Sequence, residues 1–284
     1  MNRQSVSYFG GLVAIMLVTA VAVQADNLKD VEITDEFPLE RCIGLLVTSC
    51  TGGDCNPYLP LDLDLASGIG RVWELSNAEC VADGDCDELE EVTVSILDAT
   101  QEVDGQMTRI MRETEWVDGE LAEVSQNFLN QCSNTQDVYY WGEEVCVAED
   151  SDGALEDEPF DYEINCADFG LVPGEGAWIA GLDGAEPGIL FPGGAFLLGA
   201  RYLQEKAENA QDWATNAELG LTADDPANGQ FEDCVLVIDR NLIEDPKSKE
   251  DGDEKVYCPD IGIVQDEELV LTSCTTSAAG ACAQ

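Results

Sequence analysis

Histidine is absent from this 284-residue chain, and Lys and Arg together number only 12. The first absence removes the commonest general base and metal ligand, and with it any Ser-His-Asp or Cys-His arrangement. The second leaves 59 Asp+Glu largely uncompensated, a formal charge of −47. Such a chain is a poor partner for nucleic acid or an anionic membrane surface, because both bind through clustered Lys and Arg. There is no G-x-S-x-G elbow, P-loop, G-x-G-x-x-G or Cys-x-x-Cys in the sequence, so the common nucleophile, phosphate, dinucleotide and paired-thiol metal signatures are missing. A carboxylate-only glycoside hydrolase needs just two acids, and here the acids are too numerous to single out a pair. The reading that remains is a non-enzymatic protein without a cofactor.

Long apolar runs are missing too, except at the start. Arg3 is the only charged residue before an apolar stretch from Phe9 to Val23, followed by Gln24-Ala25. That is the layout of a secretory signal peptide, too short for a permanent span of roughly 20 residues. The expectation is cleavage after Ala25 and a secreted or periplasmic protein with no stable membrane anchor, the alternative being an uncleaved N-terminal anchor. Removing Arg3 leaves 11 Lys+Arg against 59 Asp+Glu, or −48.

All 12 cysteines lie beyond Ala25, and their even number suits disulfides in an oxidising compartment. Spacing suggests three pairs. Cys80 and Cys86 would close a short loop, and Cys146 and Cys166 would staple an acidic stretch. Cys258 and Cys274 are equidistant from Asp266, so a hairpin centred there would set them opposite each other.

Hydrophobic residues make up 45%, enough for a folded domain with acidic side chains on its surface. The acidity suits either a saline habitat or carboxylates that take up Ca²⁺. Asp-Gly pairs at 83–84, 104–105, 118–119, 152–153, 183–184 and 251–252 punctuate the chain, and they supply the positive φ angles of tight hairpins. Alternating apolar residues over Glu91 to Leu97, Gln106 to Trp116 and Leu121 to Leu129 predict three strands in meander. Asp137 to Trp141, Phe231 to Ile238 and Lys255 to Val264 predict further strands. Ala207, Ala210, Ala214 and Ala217 fall at helical spacing, leaving a short helix or a distorted strand open.

No interior Gly/Ser/Pro linker divides the chain. The expected organisation is a signal peptide (1–25), a cysteine-rich extension (26–55), one β-rich domain (56–274) and a tail (275–284). Within the domain, 149–171 and Asp245 to Glu254 read as solvated loops. The fold class is mainly β, an antiparallel meander curled into an open, half-barrel-like sheet with at most one or two short helices.

The order of motifs is recognisable. Asn56-Pro57-Tyr58-Leu59-Pro60-Leu61 precedes Asp137-Val138-Tyr139-Tyr140-Trp141-Gly142-Glu143-Glu144. Gly184-Ala185-Glu186-Pro187-Gly188, Gly229-Gln230-Phe231-Glu232-Asp233-Cys234 and Tyr257-Cys258-Pro259-Asp260-Ile261-Gly262-Ile263-Val264 follow. The series resembles a widespread family of uncharacterised bacterial secreted β-rich proteins with segments of the type NPYFPL, DVYYFGEDV, GAxPGIxMPG, AGTFxxC and YYAPGIGLV. It covers roughly Asn56 to Thr272. A weaker similarity to half-barrel lipoprotein and lipid carriers implies a sheet curled around an apolar face. Cys258 and Asp260 stand where the family usually has alanine and glycine, and the 149–171 insertion is longer than usual.

Two function classes follow. One is a binding domain for a hydrophobic small molecule, a lipid or a partner segment, with Trp178, Tyr202 and Trp213 as candidate lining residues against the plainer reading of core aromatics. The other is an acidic surface protein taking up divalent cations in a structural role. For it, Asp150 and Asp152 sit in a string resembling the centre of an EF-hand loop, and Asp83, Asp85 and Asp87 alternate; neither string has the full loop pattern, and solvated turns are the plainer reading.

Overall fold

The computed structural model describes residues 42–64, 67–151, 153–156, 159–193, 196–208, 210–225, 229–241, 252–276 and 282. The expected signal peptide, its cleavage site and the first part of the cysteine-rich extension lie outside the described residues. So does Asp152, and so does most of the Asp245 to Glu254 stretch.

Strands dominate. After the short β1 (Leu46–Val47), β2 (Leu63–Asp64) and β3 (Ile69–Gly70) come β4 (Val72–Ser76) and the six-residue helix α1 (Ala78–Asp83). The long meander follows as β5 (Glu90–Val103), β6 (Gln106–Val117), β7 (Glu120–Cys132) and β8 (Val138–Val147). Short pieces β9 (Val172–Pro173) and β10 (Trp178–Ile179) precede β11 (Glu186–Phe191), β12 (Arg201–Leu203) and β13 (Glu205–Lys206). The chain ends on β14 (Asp212–Asp225), β15 (Gly229–Asn241), β16 (Asp253–Cys258), β17 (Gly262–Asp266) and β18 (Leu269–Thr275).

The hairpins form where Asp-Gly supplies two residues of positive φ. Asp104 and Gly105 (46° and 74°) join β5 to β6, and Asp118 and Gly119 (52° and 81°) join β6 to β7, as type I′ turns require. Alternation then sorts the side chains: on β5, Val92, Val94 and Ile96 are buried while their neighbours are not.

One antiparallel sheet runs β12-β14-β15-β16-β17-β18-β4-β5-β6-β7-β8-β11-β13, and its first and last members are separated in sequence only by Gln204. The segment 201–206 pairs first with β14 and then with β11, so the sheet is nearly closed. This goes further round than the open half-barrel expected, and the reason is local: one extended segment changes partner within six residues.

Three further outcomes, two of them differences from the sequence reading, have physical causes. The predicted strand Lys255 to Val264 breaks into β16 and β17, because Pro259 donates no hydrogen bond and Asp260 adopts a φ of 63°. Of the two alternatives left open for the alanine-spaced segment, the distorted strand is the one formed: Ala207 and Ala210 form a turn, and β14 carries register shifts between Asn216 and Glu218. The 149–171 insertion is anchored rather than only solvated. Ile164, Cys166 and Leu171 bury against Val124 and Cys146, and both oxygens of the buried Glu144 accept backbone N–H groups of Glu163 and Ile164.

All described cysteines are bridged, as Cys42–Cys132, Cys50–Cys55, Cys80–Cys86, Cys146–Cys166, Cys234–Cys258 and Cys274–Cys282. Two of the expected pairs are present. The Cys258–Cys274 pairing is wrong: the extra turn at 259–261 puts Cys258 opposite Gly262 on β17, away from β18, while Cys274 bonds within the tail. These bridges are consistent with an extracellular or periplasmic protein. No helix among the described residues is long and apolar enough to cross a membrane.

Candidate functional site

Inside the curled sheet lies a cavity of about 260 Å³. Its lining comes from strands all round the sheet, so no single stretch of sequence announces it. One arc is apolar: Trp73 and Leu75 of β4, Val92 and Val94 of β5, Met111 of β6 and Ile263 of β17. Leu59 enters from the Asn56–Leu61 segment. That segment is fixed by Asn56, fully buried, whose Oδ1 accepts the N–H groups of Tyr58 and Leu59 while Nδ2 donates to the carbonyl of Gln136.

Much of the remaining lining is acidic. Glu113, Glu123, Glu143 and Glu205 face the cavity with Asp212, Asp239 and Asp266, and Lys255 is the one cation among the described lining residues. Register makes this crowding plain: Glu115 on β6 stands directly across from Glu123 on β7, and Asp239 on β15 across from Asp253 on β16. Like charges so placed repel.

Electrostatics follow from burial. Loss of hydration pushes Glu123 up to about 8, helped by Glu143 and Glu113. Glu113 rises to about 7 chiefly by burial, against the pull of Lys255. Glu143 reaches about 7, again by burial, moderated by hydrogen bonds from Tyr140 and Ser125. Asp239 rises to about 6 by burial despite Lys255. Glu205 is raised by burial and by its neighbour Asp212, with which it is hydrogen-bonded. Burial works against the Lys255 ammonium, but Asp266 and Asp239 outweigh it and hold the charge firmly. Its Nζ lies 3.3 Å from Asp266 Oδ2 and 3.8 Å from Asp239 Oδ2.

None of the three aromatic candidates lines the cavity, but two neighbour residues that do. Trp178 packs edge-on against Tyr140 at 5.2 Å, and its buried indole N–H makes no hydrogen bond. Tyr202 lies in one cross-strand row with Ala214 and Asp239, on the inner face. Trp213 is one residue out of phase with Ala214 and points to the other face of β14.

Among the cation candidates, Asp83, Asp85 and Asp87 are all exposed around the Cys80–Cys86 loop, Asp150 is exposed, and Asp152 is outside the described residues. No group of three or more Cys, Asp or Glu among the described residues is arranged to hold a metal ion.

The sequence reading missed Glu113, Glu123, Glu143, Asp239 and Lys255. A signal existed on β15, where Val235 and Val237 share a face with Asp239, and on β6, where Glu113 shares one with Met111. An acid in phase with buried residues marks an inward charge.

No protein-family model, no characterised protein and no solved structure matches this chain.

Proposed function

We propose that the domain is a non-enzymatic binding protein of an exported, oxidising compartment, holding a small, largely apolar molecule inside its curled sheet. The observation that carries this is the cavity itself, flanked by Trp73, Leu75, Val92, Val94 and Met111. Interior-facing residues of small barrels ordinarily fill the space; here they leave a concave space lined in part by apolar side chains and in part by acids, and such concave spaces are where small molecules bind. At about 260 Å³ it lies just under the ~300–1,000 Å³ of drug-sized pockets, so a full-length lipid chain would have to protrude. The resemblance to exported β-rich proteins and to half-barrel lipid carriers agrees with this role.

Native mass spectrometry of protein purified from its own host tests it. A small organic adduct is expected on the wild type and not on Val94→Trp, whose indole would fill the apolar arc. An adduct that persists on Val94→Trp would place the ligand elsewhere and refute the cavity reading. So would the absence of any adduct together with no thermal stabilisation by small apolar compounds.

A further inference from the structure

The strongest feature of the cavity not explained by apolar binding is its charge. Resting on the binding role above, we propose that its ligand is a small organic amine, bound as the ammonium ion with its apolar body against Trp73, Val92 and Val94.

Several observations converge. Lys255 already shows the chemistry in place: its ammonium sits between Asp239 and Asp266. Glu113, Glu123 and Glu143 share the same space with no further cation among the described lining residues. Two buried polar atoms lack a partner, one outside the acidic cluster and one on a member of it. Tyr202 is 8% exposed, and its hydroxyl, beside Asp239 and Tyr257, makes no hydrogen bond. Asp239 Oδ1 is buried and likewise unsatisfied. Each such atom costs about 1–3 kcal/mol, and both accept hydrogen bonds, so a ligand bearing several N–H donors answers both.

The alternatives fit less well. A carboxylate or phosphate head would meet repulsion from the acidic arc. A bare metal ion needs converging ligands, and the described carboxylates do not converge in that way; it would also leave the apolar arc unused. The acidic approach favours a cation as well. A second depression lined by Asp87, Glu88, Glu90 and Glu267 shares Asp266 and Leu269 with the cavity. Clefts lined by one sign of charge concentrate ligands of the other. The raised pKa values of Glu113, Glu123 and Glu143 add a consequence. A bound ammonium stabilises the ionised carboxylates, so binding near neutral pH releases protons.

Isothermal calorimetry of the full chain at pH 7 with phenethylamine, 2-phenylethanol and phenylacetate separates the possibilities, since the three differ mainly in charge. The amine is expected to bind at least about tenfold more tightly than the alcohol, a difference of about 1.4 kcal/mol. Phenylacetate is expected not to bind. In buffers of different ionisation enthalpy the amine should release protons. Glu143→Gln should weaken the amine about tenfold and leave the alcohol unchanged, which a folding defect would not do. Equal binding of amine and alcohol overturns the amine assignment while leaving the cavity reading intact. Saturable displacement of the amine by millimolar Ca²⁺ also overturns it, in favour of a metal. If none of the three binds, the amine assignment fails, and the cavity reading is then judged by the adduct experiment with Val94→Trp.

Discussion

Raising the pH from 5.5 to 8 should destabilise this domain even in 1 M NaCl, against the usual behaviour of carboxylate-rich proteins. In the folded chain Glu113, Glu123 and Glu143 hold protons up to about 7, 8 and 7, compared with an ordinary value of 4.5. The sign follows from proton counting. Because the folded values are raised, the folded state binds more protons than the unfolded state between pH about 4.5 and about 8. Stability is therefore fully present below the unfolded value and is lost as pH rises through the folded values; for these three the loss levels off above about 8, and Glu205, raised by burial and by Asp212, adds to it in the same direction. Each proton contributes about 1.4 kcal/mol per pH unit, so these three together with Glu205 would give a ceiling of about 5–6 kcal/mol per unit. The effective dielectric of a protein interior, nearer about 20 than about 4, reduces this, and about 1–2 kcal/mol per unit is the expected slope. That is large beside a typical total stability of about 5–15 kcal/mol. Urea unfolding with disulfides intact, from pH 5.5 to 8 in 1 M NaCl, measures it. High salt removes most of the contribution from exposed carboxylates, whose repulsion acts over only about 3 Å at that ionic strength. Glu123→Gln should lower the slope by about a quarter, one proton of four. A flat profile for the wild type, or an unchanged slope when all three glutamates are replaced by Gln, would refute the reasoning.

Other perturbations have equally definite outcomes. Arg71→Met should destabilise by about 3–5 kcal/mol, read as a lower urea midpoint. The buried guanidinium bonds Asp62 at 2.7 Å and donates to the carbonyls of Asp260 and Ile261, so its loss takes an ion-pair partner from a buried acid and a donor from two carbonyls. Gly262→Ala should also destabilise, by at least about 1–2 kcal/mol, because φ is 107° there and a Cβ would lie 2.6 Å from Trp73 Nε1; a neutral melting shift would show that this turn relaxes freely. Sodium chloride should raise the melting temperature gradually by screening the −47 charge, with millimolar Ca²⁺ adding little in high salt. A saturable Ca²⁺ shift that disappears in the Asp83→Asn/Asp85→Asn/Asp87→Asn variant would reverse that expectation.

Local chemistry by itself determined the hairpins at Asp104-Gly105 and Asp118-Gly119, because a type I′ turn depends on two adjacent residues. It determined the alternation of β5 around Val92, Val94 and Ile96. It also marked the short bridges Cys80–Cys86 and Cys146–Cys166, whose partners are separated by 6 and 20 residues. What it could not determine depends on distant segments. Cys42 pairs with Cys132 across 90 residues, and Cys258 takes Cys234 because a turn at Pro259-Asp260-Ile261 moves it one strand away from Cys274.

The cavity belongs wholly to the tertiary structure. With 59 acids in the chain, inward and outward carboxylates look alike in sequence, and register shifts such as those beside Glu115 and after Val256 reset which parity faces in. Only the near-closure of the sheet through residues 201–206 brings Glu113, Glu143 and Asp239 to one space with Lys255. Their charge then counts because burial strips away the water that would otherwise screen it.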